Sequence, residues 1–334
     1  MKFGGRILKI VFIGASHWHL DLYLVPLLEV PGAMVAGISD SDANVVARLA
    51  SRLGCPGDQD FRALCRRVKP DFVFALGRHA DMPDQARFLI EEGIPFALEK
   101  PCGLNASDVE QIAALAEARG AFAAVPLVFR NGDFSRYLHG LKEDGDFSYM
   151  TFRFIAGFPE RYRQAGCAWM TDPALSGGGS TINLGVHFFD LCLGLFGPDA
   201  RVVSSIMSNH AWREHIEDYS VVTLEHAGRL CVIETGYLYP APTSSFDMHY
   251  AFRTPDKYVI AHDPDTVEAL DNAGRSEKWQ SVTTNVPHYR TFVFDVIDRV
   301  RREKRPLATL SDMVPVMRLV DEAYAKALPL PKRT

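Results

Sequence analysis

Ile7-Leu8-Lys9-Ile10-Val11-Phe12-Ile13-Gly14-Ala15-Ser16-His17-Trp18-His19 is the stretch whose reading decides the fold. An apolar run rich in β-branched residues, without the alternation of a half-exposed strand, ends in a glycine turn. The pattern predicts a strand buried on both faces, Ile7 to Ile13, and a helix from about Leu20 to Val30. Compared with G-x-G-x-x-G, only the first glycine is present: Ser16 stands in the second place and His19 in the third. The turn can still work as a dinucleotide cradle. Gly14 permits a tight bend, a small residue at 16 lets backbone approach a pyrophosphate, and the helix N-terminus offers N–H donors.

The next unit supports this reading. Ala33 to Ser39 reads as a second strand ending at Asp40, roughly 20 residues past the turn, where an acid can bind ribose hydroxyls. An acid there repels a 2′-phosphate and favours NAD over NADP. Asp40 or Ser41 can equally cap a helix from about Asp42 to Leu53. Helix 61–68, strand 71–76, helix 82–92, strand 95–99, helix 109–119 and strand 122–127 follow, with Asn105 or Ser107 as a cap. Such alternation predicts a parallel, doubly wound α/β sheet. Ligands of these sheets sit outside the carboxyl ends of the strands. Two stretches fall there: Gly77-Arg78-His79, and Glu99-Lys100-Pro101 with Cys102 after it. A lysine in that place can hold an alkoxide or donate a proton; a plain ion pair at a strand end is the alternative.

After Arg130-Asn131 the texture changes. A helix over 134–141 leads to a strand over 148–155 and an irregular stretch to about 175. Strands follow over 201–208, 219–225, 230–237, 246–253 and 257–262, with a short one over 267–270, which argues a mainly antiparallel sheet. Helices over 290–304 and 310–327 close the chain. Between strands lies Gly177-Gly178-Gly179-Ser180-Thr181-Ile182-Asn183-Leu184-Gly185-Val186-His187-Phe188-Phe189-Asp190. The glycines can bring backbone close to a ligand or to another chain segment. If one helix runs from Ser180 to Leu195, Asn183 and His187 share a face and Asp190 can orient the imidazole. A histidine near its ordinary pKa is a natural acid–base group at neutral pH; a hydrogen-bonded core histidine is the alternative.

The chain has 334 residues, 47% hydrophobic, and a net charge of −5. Two domains are expected, 1–128 and 129–334. The charge gives no field for nucleic acid or an anionic membrane, and the Arg301–Arg305 run reads as a solvated helix end. Six scattered cysteines without a CxxC pair suit a reducing, cytoplasmic setting. The basic, apolar start resembles a signal peptide in outline, but Lys9 interrupts it and a first strand explains it better. No uninterrupted apolar run reaches the roughly 20 residues of a membrane span. His17-x-His19, His187 with Asp190, and His262-Asp263 match no zinc spacing, so no metal is expected.

Taken together, Gly14 in its turn, Asp40, Glu99-Lys100-Pro101 and the Gly-Gly-Gly…Gly-x-His…Asp stretch occur in the order seen in the Gfo/Idh/MocA oxidoreductases, which the chain resembles over nearly its whole length. The resemblance implies an N-terminal Rossmann domain and a C-terminal α/β domain with a large open sheet, through which homodimers or homotetramers form. It implies hydride transfer between a nicotinamide and a sugar, cyclitol or related polyol. Lys100 and His187 match the catalytic lysine and histidine, with Glu99 positioning Lys100 or the nicotinamide ribose. Gly14, Ser16 and His17 fall on the phosphate-binding turn and Asp40 on the ribose-binding acid. Trp18 in that turn, and Gly77 and His79 at the crevice, are candidate cofactor contacts by position; Arg78 and His79 could equally touch substrate or belong to a polar helix start. Many relatives have aspartate where this chain has Asn183, which can bond a hydroxyl but cannot take up a proton. That departure and the incomplete glycine motif raise one alternative, a silent nucleotide-binding regulator; a retained-cofactor oxidoreductase or redox-assisted lyase is another. Arg161, Arg163, Trp169 and Tyr237 are candidate substrate contacts, on or near loops at about 156–176 and 237–245.

Overall fold

The computed structural model describes residues 7–144, 146–240, 246–263 and 265–330. The chain divides into two compact units. The first comprises Met1–Pro126 with two later segments, Tyr162–Trp169 and Tyr289–Val314. Both segments lie beyond the boundary read from the sequence.

Six parallel strands form the first unit's sheet: β1 (Leu8–Ile13), β2 (Ala33–Ser39), β3 (Gly57–Asp58), β4 (Phe72–Ala75), β5 (Phe96–Leu98) and β6 (Ala123–Ala124). Their order is β3-β2-β1-β4-β5-β6, the order that the dinucleotide-binding α/β fold displays. The order reverses between β1 and β4, so the crevice opens there. The inner strands are buried on both faces, which is why they read as continuous apolar runs. Helices Ala43–Leu53, Phe61–Val68 and Ala106–Arg119 start where carboxylate or amide oxygens of Asp42, Asp60 and Asn105 accept N–H bonds. The late segments join this unit through identifiable contacts. Val125 N–H bonds the Ala308 carbonyl, and Tyr289 lies edge-on to Tyr23 at 5.3 Å.

The second unit comprises Leu127–Arg161, Met170–His288 and Pro315–Thr334. Its strands are β7 (Tyr149–Gly157), β8 (Arg201–Ser208), β9 (Tyr219–His226), β10 (Arg229–Tyr239), β11 (Phe246–Arg253), β12 (Lys257–Asp263), β13 (Thr266–Asp271) and β14 (Ser276–Gln280). The sheet order is β14-β13-β12-β11-β7-β10-β9-β8. All pairs are antiparallel except β7 with β10. Helix Val186–Phe196 packs against one face, where Phe188 stacks on Phe152 at 5.1 Å. The stretch Pro173–Phe196 is apolar enough by composition to cross a membrane, but 89% of its apolar window is buried in the protein. Residues 241–245, part of one expected substrate loop, lie outside the described residues.

Candidate functional site

The turn after β1 is built against the end of β4. Gly14 has φ +69°, and a Cβ on it would lie 2.1 Å from the Gly77 nitrogen. Only glycine fits that approach. Ser16 N–H donates to Asp40 Oδ2 at 2.7 Å, and Asp42 N–H to Asp40 Oδ1 at 2.9 Å. Asp40 therefore ties the turn to the end of β2, while Asp42 rather than Asp40 or Ser41 caps the next helix. A carboxylate has about four acceptor sites, so this brace leaves capacity for ribose hydroxyls.

Around the turn lies a cleft of about 880 Å³ lined by Gly14, Ser16, His17, Trp18, Asp40 and Gly77, among others. One wall comes from the late segment. Trp169 lies 5.7 Å from the Trp18 ring and 5.9 Å from His17, and Tyr162 meets Trp18 edge-on at 5.0 Å. Trp169, expected at the substrate, thus belongs to the cleft of the glycine turn. His79 is buried and packs edge-on to Trp169 at 5.1 Å. Sequence reading missed Cys167, whose Sγ donates to the Ser16 carbonyl at 3.1 Å. Burial pushes that thiol up to about 11, so it is a neutral donor. A lone cysteine in an irregular stretch gives no sign of such a partner.

The third glycine place has a purpose of its own. His19 reaches Glu99, with Nδ1 3.4 Å from Oε1, and Tyr23 donates its hydroxyl to the other carboxylate oxygen. Burial first, then the Glu99 charge, pushes the Tyr23 hydroxyl up, so it remains protonated as a donor. Glu99 is thereby held on the side of helix Leu20–Leu28. Lys100 is 2% exposed at the end of β5, and its charge acts on both His17 and Cys102. Burial outweighs that charge at Cys102 and pushes its thiol well above the usual range, which excludes a reactive thiolate there.

The cleft fits a dinucleotide. Its glycine turn lies so close to Gly77 that no Cβ fits between them, and its lining includes a buried histidine, His17, whose Nε2 has no hydrogen-bond partner among the described residues.

In the second unit the expected single helix is instead a π-helical turn, Thr181–Gly185, followed by the α-helix Val186–Phe196. Such turns recur at functional sites. Gly178 and Gly179 precede it for a packing reason: an added Cβ would lie 2.0 Å from Tyr324 Oη and 2.0 Å from the Glu217 carbonyl, respectively. The close approach serves the chain itself. Buried Glu217 accepts from Gly179 N–H at 2.9 Å, Thr181 N–H at 2.8 Å and Tyr324 Oη–H at 2.7 Å. The π turn is pinned at its start.

Asn183 Nδ2 donates to Tyr237 Oη at 3.0 Å, and the Arg161 guanidinium lies 5.6 Å from the Tyr237 ring centre. Asn183, Tyr237 and Arg161 thus form one cluster. Trp212, unseen in the sequence reading, fixes the strand end by donating Nε1–H to the Tyr237 carbonyl at 2.7 Å. His187 is buried with its ring edge-on to Phe129 at 5.7 Å. Asp190, expected to orient His187, takes a bidentate grip from Arg130, with contacts of 2.6 and 3.1 Å. Among the described residues no group of three His, Cys, Asp or Glu side chains could hold a metal ion.

Comparison with known proteins gives a consistent picture. Residues 8–126 match the model described as an oxidoreductase family with an NAD-binding Rossmann fold, and residues 143–252 match the GFO/IDH/MocA C-terminal domain. A putative UDP-kanosamine synthase oxidoreductase subunit of Amycolatopsis mediterranei is 28% identical over 182 residues, 54% of this chain and 49% of that protein. The scyllo-inositol 2-dehydrogenase (NADP(+)) IolW of Bacillus subtilis is 25% identical over 212 residues, 60% of this chain and 54% of that protein. The matches span about half the length of these curated relatives. An oxidoreductase from Agrobacterium radiobacter, solved with NAD+, L-tartaric acid and magnesium, shares the fold. Its TM-score is 0.83 at 17% identity, covering 96% of each chain.

Proposed function

The chain belongs to the Gfo/Idh/MocA family of oxidoreductases, and from that membership we propose that it transfers hydride between a nicotinamide cofactor and a secondary alcohol of a sugar, cyclitol or related polyol. The observation that carries the reading is the cleft at the strand-order reversal, where the Gly14 turn is braced by Asp40. A bound nicotinamide supplies the hydride acceptor. Gly14, Ser16 and the N-terminus of helix Leu20–Leu28 hold its phosphates, and Asp40 holds a ribose. The negative charge of Asp40 favours NAD over NADP.

In this reading Lys100 holds the alkoxide that develops as the substrate is oxidised, and His187 takes the hydroxyl proton. Asn183 holds a neighbouring hydroxyl within the cluster of Tyr237 and Arg161. An amide takes up no proton, so proton transfer falls to His187 rather than to an Asp–His pair.

The test is a panel of sugars, cyclitols and nucleotide-linked sugars, followed through the absorbance of reduced nicotinamide, with NAD and NADP in parallel. Turnover of a polyol with NAD is expected. NAD binding with no turnover across the panel would overturn the dehydrogenase reading, and nucleotide released only on denaturation would favour a retained cofactor.

The open sheet supports self-association of the family kind. Val203, Ile206, Leu230 and Leu238 are exposed apolar side chains on its strands. Light scattering at micromolar concentration should report a dimer or tetramer; a monomer mass would end that proposal.

A further inference from the structure

We propose that His17 is the side chain that recognises the bound dinucleotide, donating its Nε2–H to an oxygen of the pyrophosphate. The inference rests on the dinucleotide reading of the cleft and is independent of turnover.

The tautomer follows from one hydrogen bond. His19 N–H donates to His17 Nδ1 at 3.1 Å, and only an unprotonated ring nitrogen accepts. In the neutral ring the proton is therefore on Nε2. That atom is buried and has no hydrogen-bond partner among the described residues, in a residue 3% exposed. The ring cannot turn to find one easily. It stacks on Trp18 at 3.9 Å and 22° and is flanked by Trp169. Both indoles are donors only at their polar atom. A buried donor left unmatched is uncommon and destabilising. His17 lies in the lining of the cleft, three residues past Gly14, where helix-turn donors meet a pyrophosphate in dinucleotide folds.

The ring is neutral in the ligand-free protein. Burial, with the His19, His79 and Lys100 charges, holds its pKa well below 6.5 against the opposing charge of Glu99. Below about pH 6.5 the unfolded chain takes up a proton that folded His17 does not, so its contribution makes stability fall with acid.

These features give His17 a signature that a core histidine lacks. In nucleotide-stripped protein, His17→Leu removes an unmatched donor and a depressed titration. Because leucine also leaves the His19 N–H without its acceptor, the diagnostic is the pH dependence: the variant should lose stability less steeply than the wild type between pH 6.5 and 5. The same variant should bind NAD about tenfold to a hundredfold more weakly, by calorimetry or quenching of Trp fluorescence. His17→Gln, whose amide nitrogen can occupy the Nε2 position, should recover most of the affinity. Wild-type affinity in His17→Leu would overturn the inference, as would a fall in ligand-free stability that is the same at pH 5 and pH 8. If the wild type binds neither NAD nor NADP, the dinucleotide reading fails first and takes this inference with it.

Discussion

Lys100→Met is expected to lower turnover by about two to four orders of magnitude while leaving the NAD dissociation constant within a few fold. The methionine keeps the buried stem of Lys100, which is 2% exposed, and removes the ammonium. The loss should therefore appear in kcat, where stabilisation of a developing alkoxide acts. His187→Ala should produce a fall of the same order, because it removes the proposed proton acceptor. The double variant is the sharper measurement. Groups that serve one transition state are grossly non-additive, so losing both should cost little more than losing the worse one. Additive losses would show that the two residues serve separate steps, and unchanged kcat in Lys100→Met would remove it from the chemistry.

Gly179→Ala is expected to destabilise the second unit by about 3 kcal/mol or more, lowering its melting temperature by about 6–12 °C. The new Cβ would meet the Glu217 carbonyl oxygen at 2.0 Å and the Glu217 side chain at 3.1 Å. Neither can retreat freely. That same carbonyl accepts the Ser180 N–H, and the carboxylate accepts from Gly179 and Thr181. Moving Glu217 breaks bonds to a buried carboxyl group, whose pKa burial pushes up and whose donors only partly hold it down. Gly140→Ala is the matched control. It lies in helix Asp133–Asp144, where an added Cβ meets nothing within 4 Å, and should be neutral or stabilising by up to about 1 kcal/mol. Circular dichroism melts of both variants decide the matter. An undisturbed Gly179→Ala would mean that the π turn does not depend on its anchor.

Legibility followed the kind of interaction. Strands β2, β8 and β11 and helix Phe61–Val68 were readable at the residue, because local apolar periodicity and capping residues define them. Strand β14 escaped, since Ser276–Gln280 is a largely exposed edge with no apolar face to read. The π turn escaped because its apolar pattern differs from that of an α-helix by about one residue per turn. At the site, residue types were visible and partners were not. Asp40 stood out by its distance from Gly14, yet its bond to Ser16 did not. Asp190 stood out by its spacing from His187, yet Arg130, 60 positions earlier, claims it. The assignment of 162–169 to the first unit depends on aromatic contacts some 150 residues apart in the chain.

That last feature has a consequence for biosynthesis. The first unit draws on residues up to Val314, so its nucleotide cleft lacks a wall until Trp169 has emerged from the ribosome. The sheet lacks its Ala308–Val125 bond until Ala308 has been made, more than 180 positions after Val125. Such long loops must close against conformational entropy, which slows assembly and leaves β6 uncovered meanwhile. The unit begun first is thus completed only after most of the second unit has been made. A nascent chain therefore cannot capture its cofactor in a fully walled cleft until Trp169 is in place, well after the last strand of the nucleotide-binding sheet has been made.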